Sequence, residues 1–388
     1  MFKGKKTLVR ATLTVIGTII GAGIFGVPAM MERVGAWPGT LAFVVIAAVV
    51  MAAHLLFVEV VVRDPVRRRF PGYLGEIFGP WARKLGAVTH VLQISGANFA
   101  YVVLGGMFFA DVATAFGVDI GVLPWQVLFW ALGAVTVVSM LRLVARVEAV
   151  LTWLLIALLL FLIGSAIPQA DLTRVAATSW GDILAPYGVF LFAMFGLTVI
   201  PDVYEIAGRR TQRTRVAVAV GTAVAAVLTW AFGLFIFLAT PAGMSGDFGA
   251  MAHVIGMPML RLTLPLIGFL AVITSFITNA FDMQTMIRLD FRQKPFVGKA
   301  VTLGIPLALL FIAPRDFLGT IDVVGALFTA ANGLLAVLAA AAVLHRRPRP
   351  RTDADRAVFV LWRVVVPAVA AAAFVFAILQ RLASIALQ

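Results

Sequence analysis

The chain has 388 residues, of which 62% are hydrophobic and only 13% charged. A water-soluble fold of this size has too little interior to hide that much apolar surface, so lipid must serve as the outer solvent. The net charge of +13 would suit a nucleic acid, but no groove of interleaved basic and aromatic residues accompanies it, and the lack of cysteine rules out disulfides and thiolate metal sites.

A helix needs about 20 apolar residues to cross the hydrocarbon layer. That ruler predicts eleven spans, near 8–31, 38–62, 85–111, 125–142, 147–167, 184–207, 215–239, 259–287, 297–313, 318–344 and 357–380. The basic start, MFKGKKTLVR, resembles the head of a signal peptide. The apolar run after it outlasts an h-region and shows no A-x-A-like cleavage site, so span 1 is expected to be retained. On alternate sides of these spans, 26 of the 31 Lys and Arg fall on one side and 5 on the other. The positive-inside rule makes the richer side cytoplasmic. The expectation is a multi-pass protein of the bacterial inner membrane, N-terminus inside and C-terminus outside. His345 to Arg356 reads as a short basic loop among anionic headgroups. Thr240 to Pro258, Gly- and Met-rich, reads as a small lid or a plain connector.

Span 1 holds four glycines and a proline within twelve residues, GTIIGAGIFGVP, from Gly17 to Pro28. Glycine weakens a helix and proline removes a backbone donor. Gly17 and Gly21 alone would make a small-residue packing face. Packing needs neither the second cluster nor the proline, so a break is expected at Gly21-Ala22-Gly23. Span 6 carries Gly196 and Thr198 in mid-membrane, with Pro201 after them. Each interrupted span opens a set of five. Five is odd, so the second set enters upside down. The expected architecture is all-α, a single transmembrane domain built as a five-plus-five inverted repeat (about 8–167 and 184–344), with an extra helix at about 357–380. Backbone groups freed in mid-membrane are costly unless something binds them. Freed N–H groups at a half-helix start attract a carboxylate, and freed carbonyls attract an ammonium group or a small cation. A zwitterion such as an amino acid satisfies both kinds, though a neutral solute also fits.

The run from Gly17 to Pro28 resembles the first helix of the amino acid/auxin permease family of the APC superfamily, especially its bacterial aromatic and hydroxy amino acid permease branch. LLFVEV (Leu55 to Val60), FPGYLGEIFG (Phe70 to Gly79) and PYGVFLFAMFGLTVIPDVYE (Pro186 to Glu205) are similar to its second helix, the following loop and its sixth helix. The resemblance implies a LeuT-type fold with unwound helices 1 and 6, and amino acid uptake driven by an ion gradient. By that resemblance the substrate carboxylate faces the backbone at Gly21, Ala22, Gly23 and Ile24. The amino group faces carbonyls around Phe195 and Gly196, with Thr198 nearby. The side chain enters a pocket from spans 3 and 6, with Asn98 and Tyr101 as candidates; an ordinary interhelical hydrogen bond is the other reading of Asn98. Phe25, Phe192 and Phe195 near the breaks favour a neutral or aromatic side chain.

Span 8 contains Ala271-Val-Ile-Thr274-Ser275. In LeuT-type carriers this pattern supplies a carbonyl and two hydroxyls to sodium, and carbonyls here at Gly17 and Ile20 would complete the set. The alternative is that both hydroxyls bond back to their own helix. Some carriers of this type put a helix-5 lysine in the sodium position. Span 5 has Glu148 and no lysine, which favours sodium over a proton. Glu59, Asp111, Asp202, Glu205, Asp282, His54 and His90 are ionisable and within or near spans, where such groups are functional candidates. Asp202 and Glu205 are expected to pair with cytoplasmic arginines and close an inner gate. No cofactor is implied; the partners are an amino acid, sodium or a proton, and the bilayer. An enzyme would need a nucleophile or metal constellation in mid-membrane, and none is legible. A channel would not need paired breaks, and a sensor would keep the site without the cycle. A metal-ion carrier would want acidic, Asn or Met ligands at the breaks. GAGIFG has none, although Met194 lies near the second.

Overall fold

A computed structural model describes residues 2–64, 66–139, 141–176, 178–243, 260–346 and 360–386; the side chains of 2–5, 141–149, 260–264, 266 and 267 are excepted. Most of the expected lid before Pro258, the basic loop beyond Arg346 and the side chain of Glu148 lie outside the described residues. Among those residues the structure is helical, with one isolated bridge between Gly35 and Thr178.

The helices fall where the apolar runs place them. Span 1 is Phe2–Ile19, a 3-10 turn Ala22–Gly26 and Val27–Val34; span 2 is Ala36–Val61, span 3 Pro80–Ala115, span 4 Val122–Ser139 and span 5 Leu141–Ala166. Span 6 is Tyr187–Met194, a 3-10 turn Leu197–Val199 and Ile200–Ile206; span 7 is Thr211–Ala239, span 8 Leu260–Leu289 and span 9 Pro295–Ile312. Span 10 runs from Phe317 to His345 through a π-helical segment Val324–Thr329, and span 11 is Leu361–Val365 with Val366–Ala386. Among the described residues nine helices are long and apolar enough to cross a membrane, and the bent pair in span 1 makes a tenth. The 30-residue helix Leu260–Leu289 takes the place of predicted span 8. Outward-facing Val44, Val45, Leu128, Val135, Leu160 and Val227 are exposed, which only lipid can cover.

Two local expectations change. Arg142 and Arg146 fall inside span 5, which already begins at Leu141. A count of apolar residues stops at the first charge, whereas a helix continues as long as its backbone hydrogen bonds do. The segment Phe70–Phe78, read as loop, is a short helix that starts with Pro71 in its first turn and ends at Gly79, whose φ of 91° suits glycine.

Spans 1, 2, 6 and 7 pack on one another, and spans 3, 4, 8 and 9 form a second group. Span 5 lies against spans 1, 7 and 8, and span 10 bridges spans 2, 3, 6 and 11. Phe2–Ile19 packs against Ile200–Ile206, while Val27–Val34 packs against Tyr187–Met194. The half before one break meets the half after the other, so spans 1 and 6 run antiparallel with their breaks side by side.

Candidate functional site

At the first break Gly21 is extended (φ −128°, ψ −154°), and no side chain caps the turn that follows. Ile24 donates to the Gly21 carbonyl at 3.3 Å, and the two halves of the span meet at 46°. The glycines here serve close approach rather than positive φ. A Cβ on Gly23 would lie 2.6 Å from Cα of Ala193, and one on Gly21 would lie 2.6 Å from Ser275 Oγ and 3.5 Å from the Tyr101 hydroxyl. The first break therefore touches span 6 at Gly23 and spans 3 and 8 at Gly21.

At the second break the helix stops at Met194, Phe195 turns to ψ 120°, and Gly196 starts a 3-10 turn. The freed N–H of Gly196 donates to Nε2 of His54 at 3.1 Å. The sequence marked His54 as an ionisable functional candidate within or near a span and gave it no partner. The Thr198 carbonyl points toward the arginine-rich face, where Arg69 Nη1 approaches to 3.5 Å.

Around the breaks the lining is aromatic with a few polar groups. The Tyr101 and Phe192 rings meet edge to face at 6.3 Å. Asn279 of span 8 donates to Asn98 Oδ1 at 3.1 Å and also hydrogen-bonds Tyr101. Asn98 is fully buried, and among the described residues its Nδ2 has no partner. Asn279 went unread in the sequence, although it lies one helical turn beyond Ser275, on the same face. Ala22 and Ile24 are buried at the first break. Phe25 turns away from the site, stacking edge-on against Phe108 at 5.4 Å and Phe232 at 5.8 Å.

The residues proposed for sodium are only partly brought together. Ser275 sits against Gly21, but its hydroxyl donates to the Ala271 carbonyl at 3.0 Å. Thr274 donates to the Leu270 and Ala271 carbonyls at 2.9 and 3.0 Å. Both hydroxyls thus bond within their own helix. Gly17 faces Thr152 of span 5, and Ile20 is buried.

Toward the arginine-rich face the site is sealed by a charged network. Arg69, 1% exposed, grips Asp202 through two bonds (2.6 and 3.1 Å) and lies 3.3 Å from Asp282. Arg67 also reaches Asp202, at 2.9 Å, and His90 of span 3 pairs with Asp282 at 2.7 Å. Asp290 accepts the backbone N–H of Arg69 at 3.1 Å and of Gly72 at 2.7 Å. Burial raises the Asp290 pKa to about 6 against the pull of those two bonds. Spans 3, 6 and 8 and the segment after span 2 are thereby tied together. Asp202 and Glu205 each pair with arginines of the arginine-rich side, Asp202 with Arg67 and Arg69 and Glu205 with Arg209 four residues on. On the opposite face, a cleft of about 340 Å³ lies between spans 1, 6, 10 and 11, with Arg33, Asp182, Asp322 and Arg381 in its wall.

Two antiparallel broken helices meeting within a helical bundle, with free helix ends in mid-span, define a secondary transporter rather than an enzyme. A family model described as the tryptophan/tyrosine permease family matches residues 4–379, and the chain belongs to that family. It is 24% identical over 342 residues to tyrosine-specific transport system 1 of Haemophilus influenzae, covering 82% of this chain and 84% of that protein. Tyrosine-specific transport system 2 of the same organism is 23% identical over 284 residues, covering 69% and 70%. Among solved structures, Mhp1, a nucleobase-cation-symport-1 family transporter closed around bromovinylhydantoin, superposes with a TM-score of 0.66 at 18% identity, covering 96% of this chain and 90% of its own. MhsT in complex with L-phenylalanine gives 0.65 at 14%, covering 96% and 98%. These likenesses assign the LeuT-type fold.

Proposed function

We propose that this protein is a secondary active transporter of aromatic amino acids, tyrosine among them, working by alternating access in a bacterial inner membrane. The contact between the two breaks carries the reading. Gly23 lies on Ala193, and Tyr101, Phe192 and the Asn98–Asn279 pair surround the contact. The uncapped backbone from Gly21 to Ile24 suits a carboxylate, the carbonyls at Phe195 and Gly196 suit an ammonium group, and the aromatic lining suits a ring. The names of the relatives support the same substrate class. With amino acid/auxin permeases, the chain falls in the wider APC superfamily on this reading. The Lys and Arg asymmetry puts the N-terminus in the cytoplasm and the C-terminus outside.

The driving ion is sodium in the first reading, held by carbonyls of Gly17, Ile20 and Ala271 and the hydroxyls of Thr274 and Ser275. Both hydroxyls donate their hydrogen to carbonyls of their own helix, which leaves oxygen lone pairs for the cation. A proton is the second reading, favoured by the imidazole at the span-6 break. Purified protein in liposomes, given labelled tyrosine under an imposed sodium or pH gradient, tests both. Accumulation above the outside concentration is expected with one gradient. Equilibration without accumulation would overturn coupled transport, and no movement of any aromatic amino acid would overturn the substrate class.

A further inference from the structure

Gly196 is where the backbone of span 6 leaves the helix, and its freed N–H is not left bare. Nε2 of His54, from span 2, accepts it at 3.1 Å, and Nδ1 of the same ring lies 3.0 Å from Thr222 Oγ1 of span 7. His54 is 1% exposed and Thr222 fully buried. A backbone N–H can only donate, so Nε2 carries no proton. The ring's hydrogen is then on Nδ1, with the Thr222 hydroxyl as its acceptor. Spans 2, 6 and 7 are joined through this one ring, and only while it is neutral. An imidazolium carries N–H on both nitrogens and would face Gly196 donor to donor.

The immediate surroundings are uncharged. Phe195 lies 5.9 Å from the imidazole, and Ile19 of span 1 backs onto Gly196. The charged groups on the packed elements are engaged or distant. Glu59 of span 2 and Arg215 of span 7 bind each other, with Arg215 Nε 2.8 Å from the carboxylate. Asp202 of span 6 is held by Arg67 and Arg69. Arg10 lies nine residues before Ile19 in span 1. His345, ending span 10, bonds Ala341, and span 11 carries Arg363 and Arg381. Among the described residues His54 hydrogen-bonds only Gly196 and Thr222.

We propose that Nε2 of His54 is a proton-binding site that latches the span-6 break. The neutral ring holds Gly196 and keeps the break as seen here. When the site opens to water, a hydronium gives its proton to the Nε2 lone pair, the N–H···N bond to Gly196 is lost, and the break loses its hydrogen-bonded tie through the ring to spans 2 and 7. Proton binding and the latched break exclude each other, and such exclusion is what couples a bound ion to a conformational equilibrium. The transport role rests on the reading of the protein as a coupled carrier; the latch itself needs no substrate.

Two measurements on the full chain test it. In His54→Gln the side-chain oxygen still accepts from Gly196 and the amide still donates to Thr222, but nothing titrates. Hydrogen exchange of the segment Phe195–Ile200, corrected for intrinsic pH dependence, should show wild-type protection falling about tenfold between about pH 8 and about pH 5, with H54Q flat. Thr222→Val, which removes the Nδ1–H acceptor, should lower protection already at the higher pH and keeps the test open if H54Q fails to fold. In liposomes, the ratio of pH-driven tyrosine accumulation to tyrosine exchange should fall about tenfold in H54Q. A wild-type exchange profile that does not change with pH, or an H54Q ratio equal to wild type, would overturn the proposal. If the wild type exchanges no aromatic amino acid, the transport reading fails while the hydrogen-exchange result still decides the latch.

Discussion

At Gly21 the chain leaves its helix without a side-chain cap, and glycine lets spans 3, 6 and 8 close in on bare backbone. The Gly21 N–H still donates to a backbone carbonyl, that of Ile19 at 3.0 Å, whereas the Gly196 N–H is taken by an imidazole from span 2. Two interruptions in corresponding places thus differ in what they leave over. The first has no side-chain cap over the N–H groups of Ala22 and Gly23, and that uncapped turn is the proposed seat of a solute anion. The second spends its first donor on the scaffold, keeps its carbonyls, and is tied to spans that a moving half-helix must leave.

The sharpest way to break that contrast is to fill the first interruption. Gly23→Val places a branched side chain where even a Cβ sits 2.6 Å from the backbone of Ala193. Backbone cannot swing aside, so tyrosine uptake should fall by about a hundredfold or more. Gly26→Ala meets side-chain atoms alone, of Ile321, Val189 and Leu318 at 2.7, 2.8 and 3.3 Å, and should lose less than about tenfold. Equal losses in the two variants would mean that the contact of the breaks is not special.

Next in size is the seal below the second break. Asp202→Asn leaves the buried Arg69 without its closest carboxylate, at a cost of about 3 kcal/mol, read as a lower Tm in detergent. The chain has no cysteine, so a single cysteine at Thr198 reports access cleanly. Its labelling should quicken several-fold in the Asp202→Asn background. Unchanged labelling would reduce the network to a structural tie.

A smaller effect is expected at the ring pocket. Asn98→Leu removes a buried donor that has no partner among the described residues and should lower the preference for tyrosine over phenylalanine by about tenfold in competition uptake. An unaltered preference would leave Asn98 as the bond between spans 3 and 8 alone.

The smallest concerns Asp290. Its folded pKa, about 6, lies above the ordinary 3.8, so its contribution to stability is complete below 3.8 and is lost as pH rises through about 6. Asp290→Asn should flatten the Tm profile over that window, a difference of at most about 3 kcal/mol. A profile as steep as the wild type would place the titration elsewhere.

The sequence made the first break legible because its causes are local: Gly17 to Pro28 carries its own helix-weakening chemistry. Gly196 was legible for the same reason, and the apolar runs marked the spans. The cap on Gly196 was not, because His54 lies 142 residues away and a lone histidine in an apolar helix declares no partner. Asp202 was legible as a partner for arginines, whereas Arg69 reads as one of three consecutive arginines until the fold buries it. Thr274 and Ser275 were legible as a pair of hydroxyls; where those hydroxyls point depends on their own helix's carbonyls.

A structure of the full chain at saturating tyrosine shows whether the two breaks together hold the solute. The carboxylate is expected on the backbone of Ala22 to Ile24, the ammonium group at the Phe195 and Gly196 carbonyls, and the ring beside Tyr101 and Phe192. Tyrosine bound instead in the cleft beside Asp322 and Arg381, with the breaks unoccupied, would contradict that placement.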